Sequence, residues 1–395
     1  MSQTATARVM RGINRTAILD LIRQKSPIAR SEIARQLHVS LPTAMRVVED
    51  LIAEDLVRYH GSRGSTGGRP SALLEFNGEA YAVIGVDLGG ARLFGTVADL
   101  AGAVQHEMHL PRNGQGPEEN LEQLCELIER LLEAPRPPEQ RIRGIGIGAP
   151  GLTLSTEGVV VWAPSLGWRD LPLREILSRR FDMPVFVEND VNLAALGEWG
   201  FGAGQGARSL VCISIGTGVG AGVILDGALY RGHHQAAGEI GYLLPGVEFL
   251  GRRYDQFGAL ESLASGTGIA RRARELLEAE GLPLSADGPD AEEVFAAARR
   301  GEPWAQKVVC DTVDYLSLAI VSVSTVLDPE VIVLGGGVAR SADLLIEPIR
   351  RRLEGVMLCS PRLVASPLGR RAAVMGAIML VLNATTEHLV VRRFH

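Results

Sequence analysis

Twice in this chain an apolar run breaks into glycines and then resumes. Residues 81–87 turn out through Asp87-Leu88-Gly89-Gly90 and continue at 92–98. Residues 210–215 turn through GTGVGAG at 216–222 and close at 223–225. Each reads as a strand, a glycine turn and an antiparallel partner. Similar alternation follows both. After the first come a helical period over 117–132, a strand at 142–147 ending in Gly148-Ala149-Pro150-Gly151, a strand at 185–187 ending in Glu188-Asn189-Asp190, and a helix at 191–199. After the second, 331–334 is a strand ending in Gly335-Gly336-Gly337. A pattern that starts over predicts two similar α/β lobes with a cleft between them. Their expected spans are 78–198, with a C-terminal helix at about 372–385 packed back onto it, and 199–371. Glycine lets backbone amides approach an anion because no Cβ intervenes. Close hairpin packing needs the same glycines, so both readings stay open.

Residues 1–77 read differently. A helix at 14–25 carries Ile18, Leu19, Leu21 and Ile22 on one face. Ser31 can cap a short helix at 32–37, because its hydroxyl can accept from first-turn amides. A turn at His38-Val39 follows. Ser40 then caps a second helix running to about Ala53, with Pro42 tolerated in its first turn. Ala44, Val47, Val48, Leu51 and Ile52 point inward. This is a helix-turn-helix. Its second helix would offer Leu41, Thr43, Ala44 and Arg46 to a major groove, beside Arg35 and Ser40. Strands at 56–59 and 72–76 flank a wing at 61–69. There Arg63 and the Gly67-Gly68-Arg69-Pro70 segment suit an A·T-rich minor groove, whose narrow walls concentrate negative potential. A bundle that only docks another protein, or a wing that is only a linker, are the alternatives.

Charge agrees with a DNA-reading head. Residues 1–77 hold 11 Lys/Arg against 7 Asp/Glu, net +4, and the rest holds 29 against 39, net −10. Only the head should meet a polyanion. Cys125, Cys212, Cys310 and Cys359 are scattered, which predicts reduced thiols in a cytoplasmic protein, with no disulfide framework and no cysteine-based zinc site. No apolar signal core and no charge-free span argue for a membrane or secreted protein.

The body resembles the ROK family (repressors, open reading frames, kinases) on the actin-like ATPase fold. With its head it resembles the family's transcriptional regulators of sugar metabolism. The resemblance rests on DLGG at 87–90, GIGAPG at 146–151, ENDVN at 188–192, GTGVGAG at 216–222, GEIG at 238–241 and LESLASG at 260–266. The implied fold class is α/β: a winged helix-turn-helix plus a two-lobed, sugar kinase-like body. The implied sugar-binding residues are Gly148, Gly151, Asn189, Asp190, Glu239, Tyr242 and Glu261. In family kinases the aspartate matching Asp190 is the general base toward a sugar hydroxyl. The same carboxylate can bind a hydroxyl without catalysis, and it can also cap the helix at 191–199. Asp87, Gly89, Gly90, Gly216, Thr217, Gly218, Gly335 and Gly336 match the nucleotide side.

Three departures shape the expectation. The family's zinc-ligand positions fall here on Tyr242, Arg252, Tyr254 and Ala259, so no zinc is expected. The turn after DLGG reads Ala91-Arg92 where kinases have Thr-Lys, removing a donor near the phosphates. Ser165 stands where the family often has Asn. The resemblance therefore implies a sugar-responsive repressor, a homodimer or homotetramer on operator DNA, with no required cofactor. The competing reading is an ATP- and Mg-dependent hexose or amino-sugar kinase with an appended DNA-binding head.

Overall fold

The computed structural model describes residues 7–62, 72–90, 92–113, 116–254, 258–284 and 288–385. The head opens with α1 (Ala7–Lys25), longer at its start than the expected 14–25. Ile18, Leu19, Leu21 and Ile22 are buried, as their spacing requires. A two-residue strand β1 (Ile28–Ala29) leads into α2 (Arg30–Gln36), and α3 (Leu41–Ala53) follows. The expected Ser31 cap is not formed. Ala29 is the N-cap, with extended backbone and no side-chain bond, and Ser31 lies inside the first turn. The reason is non-local. β3 (Ala72–Phe76) pairs with β1, Ile28 to Leu74 and Ala29 to Leu73, holding the chain extended up to Ala29. Ser40 does cap α3: its hydroxyl accepts from Thr43 N at 3.2 Å, with Pro42 in the first turn. β2 (Val57–Ser62) and β3 form the winged hairpin, registered Val57 to Phe76. The wing tip, with Arg63 and Arg69, lies outside the described residues.

The body holds two five-stranded sheets. The first is built from β4 (Tyr81–Leu88), β5 (Arg92–Asp99), β6 (Val104–Pro111), β7 (Arg141–Ala149) and β11 (Val185–Asn189), in the order β11-β7-β4-β5-β6. A small sheet of β8 (Leu152–Leu154), β9 (Val159–Ala163) and β10 (Trp168–Leu171) is inserted before β11. The second sheet holds β12 (Leu210–Ile215), β13 (Val219–Leu225), β14 (Ala228–Leu229), β15 (Val331–Gly335) and β16 (Arg362–Ala365), ordered β14-β13-β12-β15-β16. The orders match strand for strand. In each, the first hairpin is antiparallel and the strands reached later by crossover add in parallel, as helical connections require. The restart seen in the sequence is thus a repeat of topology.

Helices cover the sheets. The first sheet and the inserted strands bury α4 (Pro117–Leu132) and α5 (Leu173–Phe181) through Leu124, Ile128, Leu131, Leu173 and Leu177. The second packs on α7 (Ala259–Ala264), α8 (Gly266–Ala279), α9 (Ala291–Arg299), α10 (Pro303–Leu327) and α11 (Ala342–Leu353). α10 is long and apolar enough to cross a membrane, but much of it is core here, with Val313, Leu316 and Ile320 buried.

Two more helices join the parts: α6 (Asp190–Phe201), directly after β11, and α12 (Ala372–Thr385), where a C-terminal helix was expected. They cross with backbones nearly touching. A Cβ on Gly197 would sit 2.0 Å from Ala372 O, and one on Gly376 would sit 1.8 Å from Leu193 O. No other residue fits either position unless the helices separate. α12 also contributes to the core of the head. Met375, Ile378, Val381 and Leu382 share one continuous core with Ile18, Ile22, Leu56 and Leu74. The head is therefore fused to the body through a core to which α12 and, by Val83, Ala98 and Leu100, the first sheet both contribute.

Candidate functional site

The strand ends and loops named from the sequence enclose a cleft between the two sheets, with a cavity of about 280 Å³. Gly151, Asn189, Asp190, Glu239, Tyr242 and Glu261 line it, together with Gly216, Thr217 and Gly218. Gly148 does not. It lies behind Asp190, where a Cβ would stand 3.3 Å from Asp190 Cα, so its role is to let α6 approach. Gly151 has φ +79° and faces Trp162 O so closely that a side chain is excluded.

Asn189, not Asp190, caps α6. Its Oδ1 accepts from Val191 N at 2.9 Å and Asn192 N at 3.1 Å, while its Nδ2 donates to Gly151 O at 3.1 Å. The amide therefore ties the 148–151 turn to the helix and keeps one N–H for a ligand. Asp190 is the first helical residue. Its Oδ1 accepts from its neighbour Val191 N at 2.9 Å. Glu261 reaches from α7 to accept from Val219 N at 3.0 Å, so one oxygen holds the second hairpin and the other stays available. Glu239 stands at the mouth with Tyr242, a residue 48% exposed.

Asp190, Glu239 and Glu261 line the cavity and Asp87 stands near Asp190, so ionisation of one opposes that of its neighbour. Asp87 and Asp190 each keep a little accessible surface, but protein encloses much of both groups. Burial, and then the charge of Asp190, pushes Asp87 up to about 8. Burial and, less strongly, Glu239 push Asp190 up to about 6, against the amide of Val191. Glu239 is raised by burial and by Glu261, and Glu261 by burial. Burial and the two glutamates also raise the Tyr242 phenol. Asp87 is raised further than Asp190, so of the two it is the one that holds a proton more readily. One can donate and the other accept, which suits a polyhydroxyl ligand.

The nucleotide-side residues gather at the same edge. Ser214 pairs with Gly335, which brings the ends of β12 and β15 together, and a Cβ on Gly90 would lie 3.4 Å from Thr217. Asp87, Gly89 and Gly90 leave β4 opposite Gly216–Gly218, while Gly336, at φ +81°, packs on Ile215. The GTGVGAG run is not all turn. Val219–Ala221–Gly222 belong to β13, and a Cβ on Gly222 would lie 2.5 Å from Ala195 Cβ of α6. Close packing explains that glycine without a phosphate. Ala91 lies outside the described residues. Among the described residues no three His, Cys, Asp or Glu gather to hold a metal.

Sequence reasoning missed a pair behind the cavity. Glu188, 1% exposed, receives Arg231 from beyond β14 at 2.7 Å. It also missed Gln235, whose amide spans the mouth to Ser155 N at 2.7 Å and Thr156 Oγ1 at 3.2 Å. These partners are 43 and about 80 residues apart, beyond any local pattern.

In the head, Arg35, Ser40, Leu41 and Arg46 are exposed and Thr43 is half-buried at the start of α3. Ala44 is fully buried and cannot reach a base; helical spacing sets it on the core face with Val47 and Val48. Met45, 41% exposed, takes its place on the outer face. Arg30, donating to Tyr59 OH at 2.9 Å, adds an unforeseen basic-aromatic pair beside the wing.

The chain matches the ROK family over residues 83–384 and a winged helix-turn-helix DNA-binding family over 13–58. It is 28% identical to the xylose repressor of Caldicellulosiruptor bescii, over 95% of this chain and 96% of that one. It is 35% identical to the glucokinase of Halalkalibacterium halodurans, over 75% of this chain and 94% of that one. Among solved structures, a ROK family transcriptional regulator described as a homolog of the E. coli MLC protein superposes with a TM-score of 0.82. It is 27% identical, covering 96% of this chain and 98% of that one.

Proposed function

The chain belongs to the ROK family, and on that premise we propose that it is a sugar-responsive transcriptional repressor of carbohydrate metabolism. One observation carries the reading. The helix whose first residues line the cleft, α6, is locked at a backbone crossing to α12, and α12 shares its core with the DNA-binding head. Full-length similarity to a xylose repressor and to a ROK regulator of known structure supports it.

The effector is an aldose held by Asn189, Asp190, Glu239 and Glu261, with D-xylose the first to try. The protein acts in the cytoplasm as a homodimer or homotetramer on operator DNA and requires no cofactor or zinc. Two recognition helices read a pseudo-palindrome only at a set spacing, so a small rotation of the heads suffices for release. The sugar must bind the non-reading arrangement more tightly than the reading one, or nothing switches. Anisotropy on its own upstream DNA, titrated with pentoses, hexoses and amino sugars, tests this. One sugar should release the DNA, and Asp190→Asn should abolish that response but not DNA binding. Unchanged affinity across the panel would sink the proposal.

A kinase is the second reading, favoured by Asp190 titrating near neutrality, where a general base works best. Asp87 and the 216–218 turn would then face the phosphates, and Mg-ATP would supply the transferable phosphoryl group. Asp190-dependent ATP turnover in the presence of sugar would establish it.

A further inference from the structure

Glu188 is the residue before Asn189, yet it does not line the cavity. Its carboxylate points the other way and is saturated with donors. Oε1 accepts from Asn189 N at 2.9 Å and Asn192 Nδ2 at 3.0 Å, and Oε2 accepts from Arg231 Nε and Nη2, each at 2.7 Å. A carboxylate this buried is tolerable only with such partners. Arg231 comes from the other sheet, two residues past β14. Its carbonyl accepts from Ala237 N at 3.0 Å, which closes the 231–237 loop. That loop delivers Glu239 to the cavity and sends Gln235 across the mouth.

We propose that Glu188 and Arg231 are the positioning pair of the sugar site. One ion pair fixes both halves. On the first-sheet side it sets the backbone of Asn189 and the side chain of Asn192 in the first turn of α6. On the second-sheet side it anchors the loop carrying Glu239. Neither residue touches the ligand; together they set the gap that a sugar ring must bridge. The inference rests on reading the cleft as a sugar site. A fork-shaped guanidinium suits the task, because its two parallel bonds fix orientation as well as distance.

The test uses the full-length protein and calorimetry with the same panel of pentoses, hexoses and amino sugars. Wild type is measured first; if it binds none, the sugar-site reading and this inference both fall. If it binds one, Arg231→Met should weaken that sugar by tenfold or more, and Arg231→Lys should recover part of the loss. Glu188→Gln, which keeps the shape but drops the charge, should weaken it by a similar factor. DNA affinity without sugar should stay at the wild-type value in all three. A merely structural pair would lower the melting temperature in these variants and leave sugar affinity alone. Unchanged affinity in the folded Arg231→Lys and Glu188→Gln proteins would overturn the proposal while leaving the sugar site standing.

Discussion

Asp87→Asn should stabilise this protein, and by more at high pH than at low. The carboxyl ionises near 3.8 in an unfolded chain and at about 8 in the folded cleft, raised by burial and by Asp190. Between those values the unfolded state holds fewer protons than the native one. Stability therefore falls as pH rises through that window, at up to ~1.4 kcal/mol per pH unit for one group. Below about 3.8 the penalty is absent, and above about 8 it is constant. Asparagine has the same shape and never ionises, so the variant escapes the slope. From pH 5.5 to 7.5 the ceiling is two such steps. Water entering from the cleft and the shared charge of Asp190 reduce it, leaving roughly 2 kcal/mol of extra stabilisation at the higher pH. For cooperative units of 150–250 residues this is about 4–8 °C in melting temperature. Differential scanning fluorimetry of both proteins at both pH values is the assay. Asp87 does not line the cavity, so sugar affinity at pH 7 should hold. An equal melting shift at pH 5.5 and 7.5 would refute the reasoning, since it would mean that Asp87 does not change charge in that window.

Other perturbations read other parts of the molecule. Gly376→Ala places a Cβ 1.8 Å from Leu193 O, so chemical denaturation should show a loss of ~1–3 kcal/mol despite a gain of about 1 kcal/mol in helix propensity. Arg23→Ala removes a donor to Gly200 O at 3.3 Å and a cation placed 5.3 Å over Phe201, both at the far end of α6 from the cleft. Sugar affinity should be unchanged while the sugar-dependent change in DNA affinity shrinks, measured by anisotropy with and without sugar. Arg46→Ala on the exposed face of α3 should weaken DNA binding and lower the salt slope by about one if Arg46 meets a phosphate.

The helices at 117–132 and 372–385, the strand at 185–187 and the two glycine hairpins were legible because a single element's period reports its own burial. The cleft carboxylates were legible through their motifs, each a few adjacent residues. Ala44 was misplaced against its own helical spacing, but what misled elsewhere was a partner far along the chain. Ser31 has the chemistry of a cap, but pairing of Ile28 with Leu74 starts the helix before it. Asp190 looked like the cap of α6, but the turn at Gly151 holds Asn189 in that place. Gly222 looked like part of a phosphate turn, but α6 presses on it from above.

By itself, then, the sequence determined the order of elements, the basic head, the repeated hairpin and the residue types offered to the cleft. Those properties are local: capping, periodicity and charge act within a few residues. The tertiary structure alone decided that Arg231 meets Glu188, that Asp87 and Asp190 lie close enough to raise each other's cost of ionising, and that head, first sheet and α12 share one core. Each of those depends on two distant segments excluding the same water. Burial of that kind exists only once the sheets and helices have closed on one another.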